Sequence, residues 1–351
     1  MDDLKLISTK ANILWLHNLL VKRFETRELV WIEPGVTEDY LGMEISMDCH
    51  RNVFVSMQEY SLKLVKYMET EMTHSVRFTT PAPFADNNNE IDETLLDRNQ
   101  TAQFQKALGC IGWLVSCIRL DLAYTYSRIA QDMSQPNKSS WVRLIHAIKY
   151  IKGTSTLAGF IPCKAKGEKP IWTCFCDSDQ SSDRSARNQG KCRYGSIVTV
   201  HGFPVHYKTQ TTSVAMAQPS MGTDGNVCTS STEAEIYGCS NAATHVMHVS
   251  YIAEELGYDF PKPFVMLMDN AAAEVFCNNT ASYTRLKHID LRQQWVALIR
   301  NSGIMVPKHI DTKLNLADMF TKGLTGITLQ EMTGKVLTKM LPFLNNDEEG
   351  L

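Results

Sequence analysis

The chain has 351 residues, 44% hydrophobic and 21% charged, with a net charge of −3. That length suits two or three domains, and the composition excludes a wholly disordered chain or a disulfide-dense scaffold. No apolar run reaches the roughly 20 residues of a membrane span, and the acidic start Met1-Asp2-Asp3 is not a signal peptide, so no membrane is expected as partner. Ten scattered cysteines point to a reducing, intracellular compartment. The charge balance supplies no global positive field, so any nucleic-acid contact must use local patches.

In chain order, Ala11 to Phe24 reads as an amphipathic helix, with Ile13, Leu16, Leu20 and Phe24 at helical spacing. Tyr40 to Ile45 and Val53 to Ser56 read as strands joined by a hairpin turn at Cys49-His50-Arg51-Asn52, and a helix follows from Gln58 to Met68. The polar stretch 79–94 reads as a linker and 100–155 as helical, with helices over Ala102–Cys117, Ala123–Met133 and Trp141–Ile151, the last capped by Ser139 or Ser140. Residues 156–170 read as a second connector. Strands are then expected over Ile171–Cys176, Tyr194–Val200, Val205–Thr209, Phe264–Met268 and Ile304–Ile310, with helices over Thr232–Leu256, Ala271–Cys277, Lys287–Ser302 and Leu316–Lys322. This is an α/β order with a mixed sheet, followed by a disordered tail.

Four acidic residues occupy special places in that last region. Asp177 ends the first strand, Glu235 opens the long helix, Asp269 ends the buried strand, and Asp318 begins the final helix. Functional groups in open α/β sheets gather at such positions. Carboxylates brought together there repel one another unless a divalent cation neutralises them, and an all-oxygen set suits Mg²⁺ or Mn²⁺. Each position also suits a simple cap, so spacing alone leaves both readings open.

Ordered motifs carry the argument further. Ser230-Ser231-Thr232-Glu233-Ala234-Glu235-Ile236-Tyr237 resembles the SSTEAEY segment of ribonuclease H domains in copia-type LTR retrotransposon Pol polyproteins. Phe175-Cys176-Asp177-Ser178-Asp179 resembles their YSDAD strand end, and Met268-Asp269-Asn270 their DN step. Lys287 to Arg292 is similar to their KHIDIR helix, and Ala317-Asp318-Met319-Phe320-Thr321-Lys322 to their ADxFTK closure. Upstream, Tyr40 to Ile45 resembles an FLGIEI hairpin, Gln58-Glu59-Tyr60 a QxxY helix opening, Thr80-Pro81 a TP linker, Arg119 to Tyr124 an RPDIAY segment with Leu120 in place of proline, and Ala147 to Thr154 an RYLKGT helix.

The resemblance implies a ribonuclease H-like mixed sheet with flanking helices over 161–326. A partial polymerase palm would cover 1–80 and a helical thumb or connection region 81–160. Residues 327–351 would be a C-terminal helix and disordered tail. It implies Mg²⁺-dependent (or Mn²⁺-dependent) endonucleolytic cleavage of the RNA strand of RNA/DNA hybrids, with Asp177, Glu235, Asp269 and Asp318 as both catalytic residues and metal ligands. Lys287, His288 and Arg292 would contact nucleic acid, although packing or capping is the more usual role for a histidine placed as His288 is. The remainder of the reverse transcriptase would be a partner in a longer parent, acting in a cytoplasmic virus-like particle or the nucleus.

Met1-Asp2-Asp3-Leu4 resembles the end of a YVDDL motif, so polymerisation by this chain alone is not expected. The other reading is a catalytically dead remnant that at most binds nucleic acid. Three departures bear on it: the long segment Gln218 to Val227, Tyr207 in place of tryptophan, and Gln180 in place of an aromatic. Asp179, two residues after Asp177 and on its face if the strand continues, is a weaker site candidate; Glu233, two before Glu235, points to a different side of the helix; His309 is a candidate proton shuttle or a surface histidine. Arg143, Lys149 and Lys152 are candidate phosphate contacts or a solvated helix face. Cys174-x-Cys176 lacks the second pair that a zinc site needs.

Overall fold

The computed structural model describes residues 4–72, 79–81, 92–165, 167–180, 192–211, 231–278 and 291–340. Helix α1 (Lys10–Val21) starts at Thr9, whose hydroxyl accepts from Asn12 N. The expected stripe packs only in part: Ile13 is buried, Leu16 and Leu20 are half-buried, and Phe24 is exposed beyond the helix end.

The single strand expected over 40–45 is two strands, β1 (Thr37–Tyr40) and β2 (Met43–Met47). Between them Leu41 and Gly42 both have positive φ (56° and 79°), the geometry of a two-residue hairpin turn whose twist matches its strands. The second hairpin is where the sequence places it. Asp48 accepts from the backbone of His50 and Asn52 and closes the turn before β3 (Val53–Ser56). Glu44 of β2 reaches across to accept from Gln58 N and Glu59 N, capping α2 (Gln58–Tyr67).

Two additions to this sheet were not anticipated. Leu157–Ile161, read as connector, is β4 and pairs with β3. Leu337–Lys339, in the stretch read as helix and tail, is β10 and pairs with β4. Neither pairing is local, and both partners are short, so no periodicity marks them. The first sheet thus has order β1-β2-β3-β4-β10, antiparallel throughout.

Between β3 and β4 lie α3 (Arg98–Cys117), α4 (Ala123–Ile129) and α5 (Lys138–Gly153). Asp97 and Gln100 form a capping box on α3. Asn137, not Ser139 or Ser140, caps α5, with Ser140 supplying the reciprocal bond. Arg119, fully buried, donates twice to Asp121 (2.9 and 2.8 Å) and once to Thr154, and the Tyr150 hydroxyl donates to the same carboxylate. This network ties the α3–α4 link to the end of α5. It accounts for the arginine and aspartate of the Arg119-Leu120-Asp121-Leu122 segment.

The second sheet has order β7-β6-β5-β8-β9 and is mixed. Strands β5 (Trp172–Gln180), β6 (Cys192–Val200) and β7 (Phe203–Thr211) are antiparallel, while β8 (Phe264–Met268) and β9 (Met305–His309) run parallel to β5. Helices α6 (Ser231–Glu255), α7 (Ala271–Asn278) and α8 (Leu291–Asn301) attend it. Alternate residues of β5 serve two cores. Cys174 and Cys176 join Ile236, Cys239 and Val246 of α6 on one side. Phe175 faces the other side, where α9 (Asp318–Thr321) and α10 (Gly326–Thr333) pack with the helices of 98–153 into one continuous core. Among the described residues, no helix is long and apolar enough to cross a membrane.

Removing one partner of the buried Arg119–Asp121 pair leaves an uncompensated charge. Asp121→Ala is expected to cost about 3–5 kcal/mol of stability in denaturant unfolding, whereas Arg143→Ala, at a half-buried 3.8 Å pair with Asp132, costs under ~1 kcal/mol.

Candidate metal centre

Asp177 does not end its strand. Strand β5 continues to Gln180 because its antiparallel pairing with β6 runs on to Cys192, with Asp177 opposite Gly195. Its parallel pairing with β8 stops at Phe175 opposite Leu267. Two residues past that last pair are Asp177 on one side and Asp269 on the other, so the end of the parallel pairing brings the two carboxylates level.

Glu235 comes from α6, which lies directly on β5. Gly238, one turn on, makes that approach: a Cβ there would stand 3.3 Å from Asp177 O and 3.4 Å from Ser178 Cβ. Glu235 Oε1 accepts from Ser178 N at 3.3 Å, while its Oε2 is buried with no hydrogen-bond partner among the described residues. One carboxylate oxygen each from Asp177, Glu235 and Asp269 lies within 4.8 Å of the others. Among the described residues this is the group of His, Cys, Asp and Glu side chains that can share a metal ion.

Asp318 approaches from a third direction. Buried Asn315 donates from Nδ2 to Cys176 O (3.0 Å) and accepts from Ala317 N (3.1 Å), fixing the turn that leads into α9. The short helix then sits against β6 where Gly195 leaves room; a Cβ there would fall 2.7 Å from Phe320 Cβ and 2.8 Å from Ala317 O. Thr321 donates its hydroxyl to Asp177 Oδ2. Lys322 Nζ lies 2.8 Å from Asp318 Oδ1 and 3.4 Å from Asp177 Oδ1. Lys322 thus links the fourth acidic residue to the other three.

The cap alternative fails at all four positions. Asn270, not Asp269, caps α7, accepting from Ala273 N at 2.9 Å. Asp177 lies within a strand, and the side chain of Asp318 is spent on Lys322. Glu235 lies four residues inside α6, beyond any capping position.

The electrostatics follow from burial. Loss of water pushes the Asp177 carboxyl up to about 7, against the pull of the Lys322 ammonium, with Asp318 adding to the rise. Burial pushes Glu235 up to about 9, and the charges of Asp177 and Asp269 add to it. Asp318 is also raised, chiefly by burial. These oxygens are short of positive charge, and Glu235 Oε2 is short of any partner. An all-carboxylate set in that condition fits a hard divalent cation such as Mg²⁺ or Mn²⁺.

No family model matches the chain. The Pol polyprotein from transposon RE2 of Arabidopsis thaliana, described as retrovirus-related, is 25% identical over 341 residues, which is 96% of this chain and 21% of the relative. Its counterpart from transposon TNT 1-94 of Nicotiana tabacum is 23% identical over 326 residues, 92% of this chain and 23% of the relative. Over most of its length the chain is similar to retrotransposon Pol polyproteins. It spans about a fifth of the length of the curated relatives it matches. A solved structure of LC11-RNase H1 in complex with an RNA/DNA hybrid overlaps 43% of this chain and 94% of its own, at 11% identity and a TM-score of 0.28. At that score the overlap identifies nothing by itself.

The other expected positions fall as follows. Asp179 and Glu233 stand outside the carboxylate group. His309 ends β9 opposite Met268, the residue before Asp269. Tyr207 is a packing residue: its hydroxyl donates to Val115 O and its ring stacks on Phe320 at 6.0 Å, so it joins β7 to α3 and α9. Cys174 and Cys176 lie in the apolar core under α6. Arg292 lies in the first turn of α8, while Lys287, His288, Asp2, Asp3 and the segment Gln218–Val227 lie outside the described residues. Sequence reading passed over Lys322, Thr321, Asn315, Gly195 and Gly238. The first three are inside or beside the ADxFTK-like motif, which was their signal; the two glycines carried none.

Raised carboxyls mean that the folded, metal-free protein binds protons more tightly than the unfolded chain. Its stability is therefore highest below about pH 4 in this contribution and falls as pH rises through about 7 for Asp177 and about 9 for Glu235. Metal-free thermal melts between pH 5 and 9 should show Tm dropping with pH, with a shallower drop in Asp177→Asn. Gly195→Ala should push α9 off β6 and cost roughly 1–3 kcal/mol in denaturant unfolding.

Proposed function

We propose that this chain hydrolyses the RNA strand of RNA/DNA hybrids, using a divalent cation, Mg²⁺ or Mn²⁺, held by Asp177, Glu235 and Asp269 with Asp318 in support. The observation that carries the proposal is the convergence of three carboxylates from within β5, from just past the end of β8 and from α6, one of whose buried oxygens, Glu235 Oε2, has no hydrogen-bond partner among the described residues. When bound, such cations activate a water and stabilise the departing 3′ oxygen of a phosphodiester.

The chain's own residues set the stage. The backbone N–H of Ser178 holds one oxygen of Glu235, and the other is buried with no hydrogen-bond partner among the described residues. Thr321 orients Asp177. Lys322 offsets the charge between Asp177 and Asp318. The choice of hybrid rests on the ordered motifs over 171–324 that resemble the ribonuclease H segment of Pol proteins, and the relationship to those proteins supports it.

On this reading 161–326 is a ribonuclease H-like domain, following a partial palm (1–80) and a helical thumb or connection region (81–160). The strands β4 and β10 join the sheet of the first part. Lys287, His288 and Arg292 contact the nucleic-acid backbone. The rest of the reverse transcriptase is a partner in a longer parent, within a cytoplasmic particle or the nucleus.

The test is a labelled RNA/DNA hybrid incubated with the chain and Mg²⁺. The RNA strand is cleaved by the wild type. Asp269→Asn, which loses a direct ligand, falls by more than the roughly 10–100-fold that loss of an outer partner costs at metal sites. Hybrid binding without cleavage by the folded wild type would instead favour a catalytically dead remnant.

A further inference from the structure

Three imidazoles gather at the edge of the second sheet, away from the acidic group. His206 lies on β7, the end strand, opposite Val198 of β6. Val198 belongs to the core under α6, so His206 is on the helix side of the sheet. There it meets His245 of α6: the two ring centres are 4.8 Å apart and tilted by 47°. His206 Nε2 is buried with no hydrogen-bond partner among the described residues. Ser196 Oγ, from β6, lies 3.1 Å from His245 Nδ1 and fixes that ring from behind. His248, one turn along α6 and exposed, is near enough to act on both rings through its charge. Lys208, opposite Ser196, shares this face but is exposed and can turn to water.

A buried ring nitrogen without a partner is costly unless something occupies it. Imidazole nitrogens sit about 2.0–2.1 Å from a bound zinc ion, and the ring centres about 1 Å farther out. Two imidazoles at a tetrahedral angle on one ion therefore have centres about 5 Å apart. His206 and His245 already have that spacing. Loss of water also lowers the pKa of both rings, that of His245 to about 4, with Lys208 and His248 adding to the shift. Both are neutral at ordinary pH and have lone pairs to offer.

We propose that His206 and His245 form the seat of a second metal site, for a borderline divalent cation such as Zn²⁺, with His248 as third ligand. Among the described residues only the acidic group has three such ligand atoms in mutual reach, so His248 closes on the ion by turning its exposed ring. Ser196 is a positioning residue: with His245 Nδ1–H donating to its hydroxyl, Nε2 is left to bind. Nitrogen donors select a different class of ion from the all-oxygen acidic group. Glu235 and His245 are ten residues apart on α6, about 15 Å along its axis, so the two sites load independently. A bound ion would tie α6, which carries Glu235, to the end strand of the sheet.

The experiment is calorimetric titration of the full chain with Zn²⁺ in excess Mg²⁺, with thermal melts in the presence and absence of Zn²⁺. The variants are His206→Gln, His245→Gln, His248→Gln, Ser196→Ala and Asp269→Asn. The wild type and Asp269→Asn should bind Zn²⁺ alike and gain the same Tm. Ser196→Ala should lose roughly 10–100-fold in affinity. His206→Gln and His245→Gln should lose more than that, and their Tm gain with it. His248→Gln changes an exposed ring, so it should fold as the wild type does and still bind Zn²⁺ more weakly; it covers a buried variant that misfolds. Zn²⁺ affinity unchanged in His248→Gln and Ser196→Ala, or no Zn²⁺ binding by the wild type, would overturn the proposal. Binding lost in Asp269→Asn but kept in the histidine variants would place the ion on the acidic group, overturning this site while supporting that one.

Discussion

Asp177 and Glu235 are carboxylates almost wholly removed from water, within a few ångströms of each other and of Asp269. Burying like charges at that separation is costly, and Asp177 and Glu235 answer by holding their protons well above the ordinary carboxylate range. Apolar residues of similar size would pack there without that cost. Lys322 offsets the charge at Asp177 and Asp318 but reaches no oxygen of Glu235 at ion-pair distance. The residual deficit is what a divalent cation would remove, and it gives the group chemical meaning.

The rest of the fold supplies the rigidity that keeps these charges together. Strand β5 extends past its parallel partner, which sets Asp177 level with Asp269. Gly238 lets α6 lie on β5, and Gly195 lets α9 lie on β6; in both places a methyl group would meet backbone or packed side chains. Behind β5, Phe175 and Ile197 belong to the same apolar core as α3, α4 and α5, so the upstream helices form the wall against which α9 is pressed. Tyr207 adds a direct link, bonding to α3 and stacking on Phe320 of α9.

Much of this could be read in the residues. The run Phe264–Met268, the long helix after Ser231 and the strand at Val53–Ser56 have local patterns strong enough to fix both type and extent. The acidic positions stood out because each falls at an expected strand end or helix start. What escaped notice depends on distant partners. Strand β4 exists because β3, about a hundred residues upstream, offers it an edge, and β10 exists because β4 does. The continuation of β5 through Asp177 depends on β6, and the solvent exposure of Phe24 on its place beyond the end of α1. Lys322 carries no distinguishing mark as a residue type; its importance comes from an i, i+4 step on a four-residue helix whose place is set by Asn315 and Gly195.

The central claim is that Asp177, Glu235 and Asp269 form one divalent-metal site. A crystal structure of the chain soaked in Mn²⁺, with anomalous diffraction, tests it directly. The account predicts an anomalous peak at oxygen-ligand distance from all three carboxylates, including Glu235 Oε2, the oxygen that has no partner otherwise. A map in which Mn²⁺ avoids these three side chains, with Glu235 Oε2 still unligated, would contradict it.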